Sequence, residues 1–356
     1  MRFELDDEQR AIQETAREFL ASRYPAEEVR RLATEDERGY TGEQWAAIAE
    51  LGWPALVVTE DDGGLGLGVV ELAVLFEQLG YALAPTPLLS TVAAALVVGA
   101  AGDEAQRAKW LPALAEGERR GTVVPIPPGE GLREDDGGAG LSATFEAVPD
   151  AGGADLLVVP TGHERLSVVD LGGDGVRVEP AVALDPTRRL FTVHLERAPA
   201  TALAAPDGAA LTRARDVTAV AVASESVGVA QRAMEYAVAH ARERHQFGRP
   251  IGVFQAVSHA CAQMLLEVEG ARSAVLYAAW ALDHAPDEAR LAAAMAKSYA
   301  SDAGWRVPAA ALQVLGGIGF TWEHDLHFWL KRGRANAAAW GDPRSHRARV
   351  ADALGL

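Results

Sequence analysis

The order of helical and strand-like patterns along the chain constrains the fold more than any other feature. After about residue 206, long alanine-rich stretches repeat apolar residues at helical spacing, with only short connections between them. The pattern predicts four long helices, at 209–242, 251–283, 287–314 and 323–339. Four long helices with short connections favour a helical bundle.

A different pattern lies between Gly121 and about Ala198. Short runs of aliphatic residues are separated there by glycine, proline and aspartate, which is typical of strands joined by turns. The clearest predicted strands are Leu156–Val159, Leu166–Val169 and Phe191–Leu195. We expect a small β domain, with an exposed loop at 129–140.

The N-terminal part is expected to be helical. Asp6–Glu8 opens a helix whose apolar residues follow helical spacing, and further helices are predicted at 42–51 and 69–79. The glycine run 62–68 between them predicts a loop. The predicted fold is α+β and mostly α. An N-terminal helical domain spans 1–117, a middle β domain 118–205 and a C-terminal four-helix bundle 206–356.

Charge and composition narrow the function classes. The chain has 356 residues, is 49% hydrophobic and has a net charge of −17, which disfavours phosphate backbones and anionic membranes as partners. No apolar run approaches the roughly 20 residues of a membrane helix. The N-terminus has no signal-peptide pattern, and the single Cys261 makes no internal disulfide. We expect a cytoplasmic protein that binds neither nucleic acid nor membrane.

Two motifs on the predicted bundle carry the functional signal. The first, 242–259, reads RERHQFGRPIGVFQAVSH and combines a basic helix end with a Gly-Arg-Pro turn. Basic side chains at a helix C-terminus also suit the helix dipole, so a capped helix hairpin explains this motif alone. The second, 313–325, reads QVLGGIGFTWEHD. Its glycines allow close approach of the backbone to a ligand or a simple tight turn. It follows a helix and lacks the Rossmann spacing.

In this order and about 70 residues apart, the two motifs resemble those of the acyl-CoA dehydrogenase family. Residues 60–67 are similar to that family's N-terminal glycine loop, and 296–302 to its third bundle helix. The resemblance implies an FAD-dependent oxidoreductase that dehydrogenates an acyl-CoA thioester between Cα and Cβ. It also implies that one end of FAD, its pyrophosphate and adenosine, contacts five residues: Arg244, Phe247, Gln313, Gly316 and Gly317.

Three departures from the family pattern affect the chemistry. The family's usual catalytic glutamate falls on Trp340, which cannot abstract a proton. A subset of the family carries the base on the first bundle helix, where Thr218 stands here, and Glu225 lies seven residues further along the same face. Glu225 is therefore the candidate base, while an ion pair with a nearby cation is the alternative interpretation. The third departure is in the β domain, where the family's two sequence runs around the flavin ring are absent.

These departures lead to three hypotheses. In the first, the chain is a subunit of a heteromeric acyl-CoA dehydrogenase, expected to be α2β2, and supplies one end of an FAD site shared with a longer partner. The substrate would be an acyl-CoA or a steroid-CoA. In the second, it is a flavin-free structural paralogue that stabilises a partner. In the third, it self-associates as a homomeric dehydrogenase that uses Glu225.

Other candidate residues favour simpler explanations. Glu323 and His327 lie one turn apart and His324 lies between them, but no complete set of metal ligands is visible, and we predict no metal. His259 and Cys261 on a bundle helix are typical of core packing.

Overall fold

The computed structural model describes residues 4–124, 140–161, 165–204 and 208–356. The predicted loop at 129–140 therefore lies almost entirely outside the described residues. The chain divides into two compact units. The first comprises Met1–Arg31, Val69–Ala84 and Ala219–Leu356, and the second comprises Leu32–Gly68 and Pro85–Thr218. These units do not coincide with the three segments predicted along the sequence, whose boundaries stay a prediction.

Helices make up most of the first unit. Their bounds are α1 Asp7–Arg23, α4 Val69–Ala82, α7 Gly208–Glu243, α8 Gln255–His284, α9 Pro286–Leu315, α10 Leu326–Ala338 and α11 Pro343–Ala353, where the first residues of α7 are assigned to the second unit. A two-stranded hairpin, β8 His245–Gln246 and β9 Arg249–Pro250, lies between α7 and α8. Helix α9 packs against α8, α10 and α11 and is thus the centre of the bundle.

Glycines let the helices of this unit approach closely. A Cβ added at Gly80 of α4 would lie 2.0 Å from the carbonyl oxygen of Glu225 on α7, and one at Gly228 of α7 would lie 1.9 Å from that of Glu77. Since real Cβ contacts are never that short, only glycine permits this α4–α7 crossing.

The second unit combines helices with two sheets. Its helices are α3 Gly42–Glu50, α5 Leu88–Ala101 and α6 Glu104–Ala115. It also contains the end of α2 Ala26–Glu35, from Leu32 onward, while the start of α2 belongs to the first unit. Its strands are β1 Gly121–Val123, β2 Leu141–Pro149, β3 Leu156–Pro160, β4 Leu166–Asp170, β5 Val176–Ala181, β6 Leu190–Ala198 and β7 Ala200–Ala202. One sheet has the order β1-β3-β4-β7, with β1 parallel to β3, and the other is the antiparallel β2-β6-β5.

The two sheets share a hydrophobic core. Alternate residues of β6, namely Phe191, Val193 and Leu195, are buried, and they cluster with Leu157 and Val159 of the other sheet. A period of two is what a half-buried strand requires, so this face of β6 points into the core.

The predicted fold class is confirmed: the chain is mostly helical, with a small β region in the middle and helices at the C-terminus. The third predicted bundle helix matches α9 to within one residue at either end. The second was wrong at its start, because 251–253 form a separate 3-10 turn and α8 begins at Gln255. The structure also adds a fifth C-terminal helix, α11, which the sequence interpretation did not include.

Candidate cofactor site

The hairpin between α7 and α8 presents Phe247 to solvent. His245 pairs with Pro250 and Gln246 with Arg249, which leaves Phe247 and Gly248 as a two-residue turn. Both turn residues have positive φ, 54° and 75°, and this combination defines a type I′ turn. Asparagine and glycine are the usual residues there, whereas Phe247 is 90% exposed. A strained, exposed aromatic residue at a hairpin tip is a candidate for contact with another molecule.

Arg244 lies at the base of the same hairpin, and its guanidinium is exposed to solvent. The backbone of Arg244 is fixed, since its N–H donates to the carbonyl of His240 at 2.8 Å and its carbonyl accepts from Ile251 at 2.8 Å. Its side chain is exposed, and no carboxylate among the described residues lies within ion-pairing distance of it. In a chain with a net charge of −17, an arginine without an acidic partner is well suited to bind an anion.

Two helices of equal length bring the two sequence motifs to one place. Helices α8 and α9 each have 30 residues and are joined through Ala285 alone. Their register is antiparallel: Glu267 lies opposite Arg306, at 3.9 Å, and Gly270 lies opposite Tyr299. The first turn of α8 and the last turn of α9 therefore lie at the same end of this pair.

The glycines after α9 stand at that end. Gly316 ends the helix with φ 66° and ψ −140°, a conformation that residues other than glycine rarely adopt. A Cβ added at Gly316 or Gly317 would have no neighbouring atom within 4 Å, so the backbone there faces open space. Gln313, one turn earlier, is also exposed. The structure thus places Arg244, Phe247, Gln313 and the two glycines at one end of the α8–α9 pair, all accessible.

Glu225 lies elsewhere, inside the bundle. Its side chain is 2% exposed and accepts a hydrogen bond from the Arg332 guanidinium of α10, with 2.5 Å between Oε1 and Nη1. Arg332 is 1% exposed. A carboxylate held in a buried ion pair is not available to a substrate in this arrangement.

Trp340, at the position of the family's usual base, is part of a constrained turn. It has φ 56°, the left-handed conformation, and its carbonyl oxygen accepts a hydrogen bond from Nε2 of His346 at 3.0 Å. The turn lies between α10 and α11.

The candidate metal ligands of the sequence do not form a cluster. Within the part of the chain that the structure describes, no group of three His, Cys, Asp or Glu side chains could hold a metal ion. His327 instead packs between aromatic rings, 4.6 Å from Trp322 and 4.2 Å from Phe328. Among the described residues, no helix is both long and apolar enough to cross a membrane.

Sequence reasoning missed the buried charges around the bundle's centre. Arg332 and Lys297 are fully buried, and both occupy positions on the apolar face of their helices. The sequence did contain a signal: each charged residue stands at a position that the helical spacing assigns to the buried face of its helix. Such residues are seldom buried without a specific partner, so this pattern predicts a buried, paired charge.

Replacing Phe247 by asparagine tests whether the hairpin tip serves binding. Asparagine relieves the strain of a left-handed phenylalanine, about 1–2 kcal/mol, and forfeits the edge-on contact with Phe254, worth about 0.5–1.5 kcal/mol. We therefore expect the thermal midpoint of the isolated chain to change little, while FAD binding by the flavin-binding form of the protein weakens at least tenfold. A large fall in the midpoint with unchanged FAD binding would show that Phe247 serves only the fold.

Comparison with known proteins agrees with this geometry. The acyl-CoA dehydrogenase N-terminal domain family matches residues 6–118, and the acyl-CoA dehydrogenase C-terminal domain family matches residues 209–355. The acyl-CoA dehydrogenase IpdE2 of Mycolicibacterium smegmatis is 33% identical over 347 residues, covering 97% of this chain and 98% of IpdE2. The acyl-CoA dehydrogenase FadE34 of Mycobacterium tuberculosis is 35% identical over 334 residues, which are 92% of this chain and 45% of FadE34.

Solved structures show the same fold. A variant of the Tcur3481–Tcur3483 steroid ACAD superimposes with a TM-score of 0.87 at 30% identity, covering 98% of each chain. The ChsE4–ChsE5 complex from Mycobacterium tuberculosis superimposes with a TM-score of 0.90 at 25% identity, covering 100% of this chain and 99% of that one.

The fold and the paired motifs define a protein of the class of FAD-dependent oxidoreductases. The chain belongs to the acyl-CoA dehydrogenase family. Members of this family normally bind FAD, and the residues at the end of the α8–α9 pair fit one end of that cofactor. The free guanidinium of Arg244 suits a pyrophosphate, and the open backbone at Gly316 and Gly317 admits a ligand where a side chain would stand.

Proposed function

We propose that this chain is a subunit of a heteromeric acyl-CoA dehydrogenase and supplies the adenosine and pyrophosphate end of an FAD site shared with a partner subunit. The observation that carries the proposal is the outward presentation of Arg244, Phe247 and Gly316–Gly317, combined with a tryptophan at the place of the family's base. The cofactor-binding motifs are accessible to a second chain, whereas the residue that would take the proton is missing.

In the proposed reaction a base removes a proton from Cα of the acyl-CoA and a hydride leaves Cβ, so that a trans-2-enoyl-CoA forms. The hydride acceptor would be supplied by FAD when it is bound. In this chain Arg244 would bind the pyrophosphate, Phe247 would pack against the adenosine, and Gln313 with the two glycines would contact the same end. The base would come from the partner.

Exposed apolar side chains around the motifs support a subunit interface. Ile318, Phe320 and Trp322, which follow the glycines of the second motif, are 42%, 66% and 62% exposed. Together with Phe247 they give this end of the α8–α9 pair several large apolar side chains in contact with solvent. Exposed aromatic residues in a group are typical of surfaces that another protein covers.

The relatives support pairing with a second acyl-CoA dehydrogenase-like chain. The ChsE4–ChsE5 structure is a complex of two different proteins, and the Tcur3481–Tcur3483 structure is likewise named for two proteins. This chain covers 45% of FadE34, so the remaining length of FadE34 can hold a second segment of the same size. We propose a steroid-CoA or another acyl-CoA as the substrate, since Tcur3481–Tcur3483 is a steroid ACAD.

Flavin content measured with and without the partner tests the proposal. The chain is purified alone and after co-expression with a candidate acyl-CoA dehydrogenase-like partner, and the ratio of flavin absorbance to protein is determined. We expect little or no FAD in the isolated chain, and about one FAD per pair of different subunits in the complex.

Each other outcome selects a different function. Stoichiometric FAD in a homomer, with turnover of an acyl-CoA, would contradict the proposal and favour a self-sufficient enzyme, in which Glu225 could serve as the base only by leaving its ion pair with Arg332. A stable complex without FAD at any subunit ratio would favour a flavin-free stabilising subunit.

A further inference from the structure

The turn between α10 and α11 holds two consecutive residues in left-handed conformations. Trp340 has φ 56° and Gly341 has φ 95°. For a residue other than glycine this conformation costs about 1–2 kcal/mol. Surrounding contacts must therefore fix the turn, because an isolated chain would relax to a different conformation.

Lys297 of α9 supplies one set of these contacts. The residue is completely buried, and its Nζ donates to the carbonyl oxygens of Asn336 and Gly341, at 3.0 Å each, and to the Ser301 hydroxyl at 2.9 Å. Among the described residues no carboxylate lies within 4 Å of Nζ. The ammonium group is placed instead at the C-terminal end of α10, where the helix dipole favours a cation.

His346 of α11 supplies the second set. Burial lowers the pKa of its imidazole to about 4, so the ring is neutral near pH 7. Nε2 lies 3.0 Å from the carbonyl oxygen of Trp340, and Nδ1 lies 3.4 Å from a guanidinium nitrogen of Arg349. The neutral ring thus carries its hydrogen on Nε2 and donates it to Trp340, while Nδ1 accepts from Arg349.

Gly341 completes the arrangement. A Cβ added at this residue would lie 2.6 Å from Nε2 of His346, so no side chain fits between the turn and the imidazole. The carbonyl oxygens of residues 336, 340 and 341 each accept a hydrogen bond from a buried side chain. The backbone on both sides of Trp340 is thereby fixed.

We propose that Lys297 is a positioning residue that, together with His346, holds the Trp340 side chain in one orientation at the place where the family carries its catalytic carboxylate. In this chain the buried lysine fixes the backbone that carries the indole at that place, and a reacting group is not needed there. The inference rests on the proposed function in one respect, namely that no base is needed at the position of Trp340. The contacts that hold the turn do not depend on that function.

The contacts around Lys297 suit both of its charge states. Burial lowers the pKa of the Lys297 amine to about 7, opposed by the negative charge of Asp342. A neutral amine still donates to two carbonyl oxygens and can accept a hydrogen bond from the Ser301 hydroxyl. The turn is therefore held on either side of neutral pH, although the charge near Trp340 changes. The other ionisable groups that act on the lysine and histidine are Asp342 and Arg349.

Fluorine NMR of the full chain labelled with 5-fluorotryptophan tests the proposal without flavin or partner. The eight tryptophans should give eight resonances, and the one lost in Trp340→Phe belongs to Trp340. In Lys297→Met we expect the Trp340 resonance to broaden or shift while the other seven stay in place. In the unmodified sequence this resonance should titrate with a midpoint near pH 7, and the transition should be absent in Lys297→Met.

Lys331→Met is the matched control, because Nζ of Lys331 lies 5.1 Å from the centre of the Trp322 ring. It should shift the Trp322 resonance and leave that of Trp340 unchanged.

His346→Gln provides a second variant if Lys297→Met does not fold, and the pH titration needs no variant at all. An unchanged Trp340 resonance in a folded Lys297→Met or His346→Gln chain would overturn the proposal. Flavin content is not part of this test, so its outcome is independent of the shared-site proposal.

Discussion

Arg332→Met is expected to lower the free energy of unfolding by about 3–5 kcal/mol, because it leaves the Glu225 carboxylate buried without its guanidinium. The loss is large compared with the total stability of a typical domain, about 5–15 kcal/mol. Both partners of this pair are at most 2% exposed, so water cannot replace the lost interaction. Urea unfolding followed by circular dichroism measures the change.

Two further variants make this result specific to the buried pair. The double variant Glu225→Met with Arg332→Met should recover most of the stability, since removing both charges also removes the cost of burying them. Arg306→Met is the control. Its pairs with Glu267 and Asp302 are partly exposed and should contribute less than about 1 kcal/mol. If the double variant were no more stable than the single one, the pair would not be the source of the loss.

Arg244→Ala is expected to weaken FAD binding by the complete assembly about 10- to 150-fold, which corresponds to about 1.5–3 kcal/mol for a charge-assisted contact. The side chain is exposed, so the variant should fold normally and leave the stability of the isolated chain unchanged. Equilibrium titration of the assembly with FAD, followed by the change in flavin fluorescence, measures the effect.

Arg242→Ala is the matched control for this variant, since Arg242 is an exposed arginine in the last turn of α7 and is not among the five residues matched to the family's cofactor contacts. It should reduce FAD affinity less than threefold. Equal losses of FAD affinity in both variants would mean that the overall positive charge at the C-terminal end of α7 attracts the cofactor. An unchanged affinity in Arg244→Ala would mean that this arginine only stabilises the helix end through the helix dipole.

The sequence predicted the long helices well because their pattern is local. The alanine-rich run of α9 gives its bounds to within one residue, because proline begins the helix and glycine ends it. Helix α5, Leu88–Ala101, was not predicted. It is buried on nearly every side, so its apolar residues show no helical period that a sequence can reveal.

Features that depend on distant contacts could not be predicted. Glu225 and Arg332 are 107 residues apart, and nothing near either of them identifies the other as its partner. The hairpin at 245–250 was also missed, because its strands have two residues each and Phe-Gly is not the Asn-Gly signal of a type I′ turn. The five cofactor-binding residues came from family resemblance, and their roles stay a prediction.

The equal length of α8 and α9 has a consequence for how this gene can change. Each helix rises about 1.5 Å per residue, so deleting one turn from α8 alone would displace the arginine hairpin about 5 Å from the glycines. Nothing within the connection at Ala285 can absorb that displacement. Insertions or deletions in either helix should therefore be tolerated only when the other helix changes by the same number of residues.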